Sequence, residues 1–380
     1  MYFKEEHHLF RQSLRAFLDK EVMPHIDQWE KQGYVDRSIW KKLGDMGFLG
    51  IDYAEEYGGS ASDFMYTAIL FEEVSRCNSG GFAGVVVSDV GLSMPYIRNF
   101  GNDELKKEYL TKSVAGDIYG CLAITEPNAG SNVAGIRTKA VRDGDHYIVN
   151  GSKTYITGGV HSDYIVAAVR TGDEGSSGIS LLVIDRELEG VSAKTLDKMG
   201  FHASDTAEIF FDNVKVPASK LIGDENMGFY YIMQNFALER LAMALCWQAS
   251  CEDAIAYTLQ FMNDREAFGR PINKFQVLRH RIAQLASEVE RIKIFNYNVA
   301  RAYGDGEMVT KECAMAKLMA TELGDRVMTE CLQCFGGAGY MEEYKIARMF
   351  RDSRVGRIAG GSSEIMCELI AKMTVDAVGY

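Results

Sequence analysis

Proline is nearly missing from this chain: five occur in 380 residues, and none follows Pro271. With so few helix-breaking rings, the C-terminal part is free to form long helices. Basic side chains are also in deficit, 41 against 53 acidic ones, for a formal charge of −12. That balance excludes a chain whose whole surface grips nucleic acid, and anionic membranes would repel it. A local basic pocket remains open. No uninterrupted apolar run reaches the ~18 residues of a membrane span. The N-terminus carries Glu5, Glu6 and Asp19 and lacks an apolar core, so it does not read as a secretory signal. Eight cysteines are scattered along the chain, and only Cys331 and Cys334 have CxxC spacing. Neither a second pair nor a nearby histidine completes a zinc site, so these two read as small side chains on one helix face. Scattered thiols suit a reducing compartment, here the cytoplasm, or the mitochondrial matrix if a targeting segment has been removed.

What is present is ordinary for a globular protein: 47% hydrophobic and 25% charged residues. The length favours two or three domains. Residues 1–118 read as helical, with Phe10, Leu14, Phe17 and Leu18 at helical spacing, and Gly58-Gly59 and Gly80-Gly81 as turns. Over 119–228 the period shortens. Tyr147–Val149, Tyr164–Val166, Ile179–Ile184 and Glu208–Phe211 are β-rich runs separated by turn residues, which predicts an antiparallel sheet or barrel. From 229 to 380 the helical period returns. Leu278, Ile282, Leu285, Val289, Ile292, Phe295 and Val299 form a seam that predicts a four-helix bundle. The fold class is therefore α+β, ordered α, then β, then α.

Four segments stand out. In Ala123–Asn132 an apolar strand runs into a turn of small and hydroxyl residues, whose backbone N–H groups suit a polar ring or phosphate, or simply an ordinary loop. In Gly151–Gly159, Tyr155 and Thr157 are two apart, so on a regular strand they share a face. They suit a flat cofactor, and equally a solvent-facing pair. In Gln333–Tyr340 the glycines end a helix and permit close approach. No βαβ unit surrounds them, which excludes a Rossmann fingerprint. Lastly, Glu239-Arg240 is the only charged pair between Phe229 and Leu245. A carboxylate among Phe236, Leu238, Leu241 and Met243 is either a desolvated base or part of a polar stripe.

Together these residues resemble the acyl-CoA dehydrogenase family over essentially the whole chain. Thr125–Ser131 looks like one family signature. Gln333–Asp352, with Glu343, Arg348 and Asp352 in step, looks like the second. Asn132 stands where the family usually has aspartate, and as a neutral amide it is expected to cap the turn. The resemblance implies FAD held between the β region and the C-terminal bundle and completed by a neighbouring subunit. It implies a homo-oligomer, in the family's tetramer arrangement, an acyl-CoA substrate and an electron-transferring flavoprotein as acceptor. By position it places Thr125 and Thr157 on the flavin, Tyr155 at its ring, and Ser131 near the pantetheine or phosphate arm. Arg265, Phe268, Gln276, Gln333, Gly336 and Gly337 match the ADP site, and Ser362 and Glu364 the segment near the flavin.

Many relatives carry a catalytic glutamate in the loop that here reads Ile358–Ser362, at the position of Gly360. The long-chain and isovaleryl types supply it from the bundle helix instead, where this chain has Glu239. The resemblance thus makes Glu239 the base for the α-proton, the Gly360 N–H a donor to the thioester oxygen, and flavin N5 the β-hydride acceptor. Arg240 is expected to offer positive charge to the coenzyme A arm. The alternative on the same fold is an oxygen-using flavin oxidase or monooxygenase.

Overall fold

Apolar side chains at three- and four-residue steps define the first layer. A computed structural model describes residues 2–376. It opens with α1 (Glu5–Glu21), α2 (Ile26–Gln32), α3 (Ser38–Asp45), α4 (Phe64–Ser75), α5 (Gly80–Val87), α6 (Met94–Phe100), α7 (Asp103–Leu105) and α8 (Thr111–Val114). Leu14 and Leu18 are buried on α1, and Asp63 caps α4 by accepting from the Met65 N–H at 3.0 Å. Gly80 and Gly81 do not make the expected turn; they open α5, capped by Ser79. A Cβ at Gly81 would lie 2.7 Å from the Ala203 backbone nitrogen, so close approach of the β region is what requires glycine there. The continuous helical run Gly80–Phe100 has the length and apolarity to cross a membrane, yet 83% of its apolar 18-residue window is buried inside the protein. It is core.

The middle region is one eight-stranded sheet. Its strands are β1 (Gly120–Ala123), β2 (Lys139–Asp143), β3 (His146–Thr157), β4 (Tyr164–Arg170), β5 (Ile179–Asp185), β6 (Val191–Thr195), β7 (Thr206–Pro217) and β8 (Leu221–Ile222). The spatial order is β6-β7-β3-β2-β4-β5-β8, with β1 beside β4. Most pairings are antiparallel as expected, but β1 and β2 both meet β4 in parallel. β4 and β5 are buried along nearly their whole length, which is why they read as continuous apolar runs.

The C-terminal helices are α9 (Gly228–Asp264), α10 (Gln276–Gly304), α11 (Thr310–Phe335), α12 (Lys345–Ser353) and α13 (Ser363–Thr374). Ile282, Leu285, Val289, Ile292 and Val299 are buried on α10, as their spacing requires. Cys331 and Cys334 are free and buried on α11. Buried Glu72 and Glu73 of α4 fix the bundle to the N-terminal helices. Arg11 pairs with both at 2.6 Å, and Gln248 of α9 and Tyr297 of α10 hydrogen-bond Glu72 at 2.9 and 2.6 Å.

Candidate active site

Helix α9 passes between the other layers, and its mid-portion carries Glu239. Leu238 and Leu241 are buried on either side, and the Glu239 carboxylate is half-buried. Burial holds its pKa above the usual carboxylate range, opposed by the positive charges of Arg240 and Lys317. No hydrogen bond to it is present among the described residues. Tyr96 of α6 lies within reach of its charge; burial first, and then Glu239, push that phenol well up, and the buried hydroxyl has no partner among the described residues.

The loop before α13 comes directly against this carboxylate. A Cβ built on Gly360 would lie 3.6 Å from Glu239 Oε1 and would overlap Met243 Sδ. Gly360 and Gly361 adopt φ of +62° and +94°, a region that favours glycine. The N–H groups of Ile358 and Ala359 both bond Val355 O at 2.9 Å, whereas the Gly360 N–H has no backbone partner among the described residues. Behind the loop the Trp247 indole donates to Ser353 O at 3.2 Å. Gly324 and Gly356 make room for its ring, since a Cβ at either would overlap it. Ser362 caps α13 by accepting from the Ile365 N–H at 3.4 Å, and Glu364 is exposed in its first turn.

The first signature turn and the end of β3 form a second cluster. The Thr154 N–H donates to Thr125 O at 2.9 Å, which sets Thr125 beside the Thr154–Thr157 segment. Tyr155 does not share a face with Thr157 by simple alternation. The register between β3 and β7 shifts between Lys153 and Ile156, and Tyr155 sits at this bulge with φ +61°. Its side chain is 70% exposed, while Thr125 and Thr157 are half-buried. Neither threonine hydroxyl has a partner among the described residues. Ser131 is exposed further along the turn. Asn132 does not cap as expected: its side chain makes no cap bond, and its carbonyl accepts from the Gly135 N–H at 3.0 Å instead.

What holds this turn was not among the expected site residues. Buried Glu126 accepts from the Arg137 and Thr138 N–H groups at 2.6 and 2.9 Å, and pairs with fully buried Lys153 at 2.8 Å. Lys153 also donates to Ile124 O at 3.1 Å. The pair ties β3 to the turn, and residue types alone give no sign of it, because a lysine on a strand ordinarily faces solvent and only the packing of β3 buries this one.

The remaining expected cofactor residues gather at the far end of the bundle. Arg265 follows α9, Gln276 opens α10, and between them a short hairpin presents Phe268 at φ +52° and 96% exposed. Phe261 of α9 stacks on Phe335 of α11 at 4.1 Å, bringing this hairpin beside Gln333, Gly336 and Gly337. A Cβ at Gly336 or Gly337 would meet nothing within 4 Å, so this surface is open. No hydrogen bond, ion pair or ring contact joins this group to Thr125, Tyr155 or Thr157 among the described residues. Arg240 is elsewhere again: it is buried, lies over the Phe236 ring at 5.2 Å, and its Nε has no partner among the described residues.

An α-β-α chain with an unpaired carboxylate facing a glycine loop, and with open hydroxyl and glycine cradles, has the plan of a flavin enzyme acting on thioesters. Family models of the acyl-CoA dehydrogenase N-terminal, middle and C-terminal domains match residues 4–117, 121–214 and 226–374. The chain is 41% identical over 379 residues to the long-chain specific acyl-CoA dehydrogenase of Rattus norvegicus mitochondria, covering 98% of this chain and 87% of that protein. It is 34% identical over 368 residues to the mitochondrial isovaleryl-CoA dehydrogenase of Pongo abelii, covering 95% and 86%. A solved acyl-CoA dehydrogenase from Geobacillus kaustophilus superposes with a TM-score of 0.95 at 42% identity, covering 98% of each chain. The chain belongs to the acyl-CoA dehydrogenase family. It is an FAD-dependent oxidoreductase of acyl-CoA thioesters.

Proposed function

We propose that Glu239 is the base of this dehydrogenase and that the Gly360 N–H is its oxyanion donor. One observation carries the reading: Glu239 Oε1 lies 3.6 Å from where a side chain at 360 would begin. The two positions from which the family supplies its glutamate therefore converge on one point, and only one of them holds a carboxylate. Partial desolvation raises Glu239 toward neutral pH, where a carboxylate is a stronger base. The α-proton of a thioester is weakly acidic, so its removal needs charge stabilisation at the carbonyl oxygen. The lack of a backbone partner for the Gly360 N–H among the described residues supports that role. Removal then delivers the proton to a Glu239 oxygen. When bound, FAD supplies the acceptor for the β-hydride.

Thr125, Thr157 and Tyr155 would hold the flavin ring, with Ser131 toward the substrate arm and Ser362 and Glu364 on the loop side. The unsatisfied threonine hydroxyls and the exposed Tyr155 ring fit such a ligand. Arg265, Phe268, Gln276, Gln333, Gly336 and Gly337 would hold the ADP part of a neighbour's cofactor. Their separation from the Thr125 cluster and the near-complete exposure of Phe268 support a site completed by a second copy, and the family resemblance extends this to a homotetramer built from dimers. Arg240, buried beside the base, acts on the substrate region by charge. We read three units, 1–118, 119–228 and 229–380, a cytoplasmic or matrix enzyme, electron transfer to an electron-transferring flavoprotein, and a preference for longer or branched acyl chains.

The test is Glu239→Gln. Its FAD content should match wild type while anaerobic flavin bleaching by acyl-CoA falls ~10²–10⁴-fold. Wild-type bleaching with FAD bound would remove Glu239 as base.

A further inference from the structure

Behind the Glu239–Gly360 pair lies a residue that neither the signatures nor the reaction uses. Lys317 of α11 has no exposed surface, and its neighbours Ala314, Ala316 and Ala320 are buried with it. Their small side chains leave space for its stem. The Lys317 ammonium donates to Gly361 O at 2.6 Å. A buried charge-assisted bond of this kind is among the stronger ones available to a loop.

The loop needs such a hold. Two successive left-handed glycines, at φ +62° and +94°, leave it outside regular structure. The same helix grips both flanks. Glu322 accepts from Arg357 Nε at 2.9 Å and from the Ser363 hydroxyl. Lys317 supplies the contact between these two, at the glycines themselves. Its charge also acts on Glu239, lowering a pKa that burial raises. Burial in turn pushes the Lys317 ammonium down to about 8, with Glu239 opposing that shift and Arg240 adding to it. Glu322 of α11 and Glu364 of α13 also favour its charged form. From α6, the Tyr96 phenol feels the charge of Glu239.

Resting on Glu239 as the base, we infer that Lys317 is a positioning residue, fixing the Gly360–Gly361 loop through the Gly361 carbonyl and bringing its positive charge to the Glu239 side of the site. Removing the cation leaves the carboxylate opposed only by Arg240. The Glu239 pKa then rises, and the acid limb of the rate profile moves to higher pH. Removing the hydrogen bond as well loosens the Gly360 donor and lowers the plateau.

Two variants separate these effects. Lys317→Gln keeps a donor and loses the charge; Lys317→Met keeps the length and loses both. Holoenzyme of each, with wild type and Glu239→Gln, is mixed anaerobically with an acyl-CoA across pH 5.5–9, and the bleaching rate is fitted. The acid limb should move up by about one pH unit in both lysine variants. The plateau should fall about tenfold further in Lys317→Met than in Lys317→Gln. An acid limb at its wild-type position in both variants overturns the proposal. So does loss of FAD from both, because Lys317 would then serve the fold. Failure of the base assignment shows separately, as wild-type bleaching by Glu239→Gln.

Discussion

Moving the carboxylate from α9 to the loop is the most informative single rearrangement of this site. In Glu239→Gln the ordinary cost of losing a general base is ~10²–10⁴-fold. Adding Gly360→Glu returns a carboxylate from the opposite wall, on a side chain whose Cβ would start 3.6 Å from Glu239 Oε1. Two local penalties oppose it. Residue 360 sits at φ +62°, where a non-glycine residue costs roughly 1–2 kcal/mol. Its Cβ also overlaps Met243 Sδ, and overpacking of this kind costs about 1–3 kcal/mol. The sum is about 2–5 kcal/mol, or ~30- to ~5,000-fold if the loop carries it all at the reacting geometry. Met243 is flexible and can swing aside, so the lower end is expected. Glu239→Gln/Gly360→Glu should bleach about tenfold faster than Glu239→Gln alone, and Met243→Ala added to it should improve the rate again. The assay is anaerobic stopped flow with FAD content measured in parallel. If neither combination exceeds Glu239→Gln while FAD stays bound, the two positions do not reach the same α-carbon and the convergence argument fails.

Other consequences follow from separate contacts. Lys153→Met leaves Glu126 as a buried, unpaired carboxylate and should cost about 3–5 kcal/mol of stability by denaturant unfolding, with Lys153→Met/Glu126→Gln costing less. Buried Asp352, held by the Gly80 and Phe201 N–H groups at 2.9 and 2.7 Å, is pushed up to about 6 by burial. Its folded pKa lies above the unfolded value of about 3.9, so its contribution is greatest at low pH and is lost as pH rises through about 4 to 6. Urea midpoints of wild type and Asp352→Asn should therefore diverge across that window; parallel curves would contradict it. Purified protein should carry FAD and sediment as a tetramer, and a monodisperse monomer with full FAD would refute the shared cofactor site. A turnover panel should favour medium-to-long or branched acyl-CoA over butyryl-CoA; a maximum at butyryl-CoA would refute the preference.

The layer order and the buried seam of α10 were legible because each rests on periodicity over many residues. β2 and β6 were not, since most of their residues are exposed and offer no apolar run. The Gly80-Gly81 pair read as a turn because composition does not reveal that the Ala203 backbone packs against it. Period-two alternation failed at Tyr155 because a bulge is set by the partner strand β7, not by β3 alone. Glu239 was recognisable only as one charge in an apolar stretch, and its meaning came from resemblance and then from its approach to Gly360. Lys317 gave the weakest signal of all: a lone lysine on a helix ordinarily reaches water, and only the packing of α11 against the 354–363 loop turns it inward.

The base assignment is tested most directly by proton abstraction alone. A 3-thia-acyl-CoA has sulfur at the β position, so no β-hydride can leave, and exchange of its α-proton with D₂O reports only the base. Followed by NMR with stoichiometric holoenzyme, exchange should be rapid in wild type and slowed by at least ~10²-fold in Glu239→Gln. Exchange at the wild-type rate in Glu239→Gln would show that another group takes the proton.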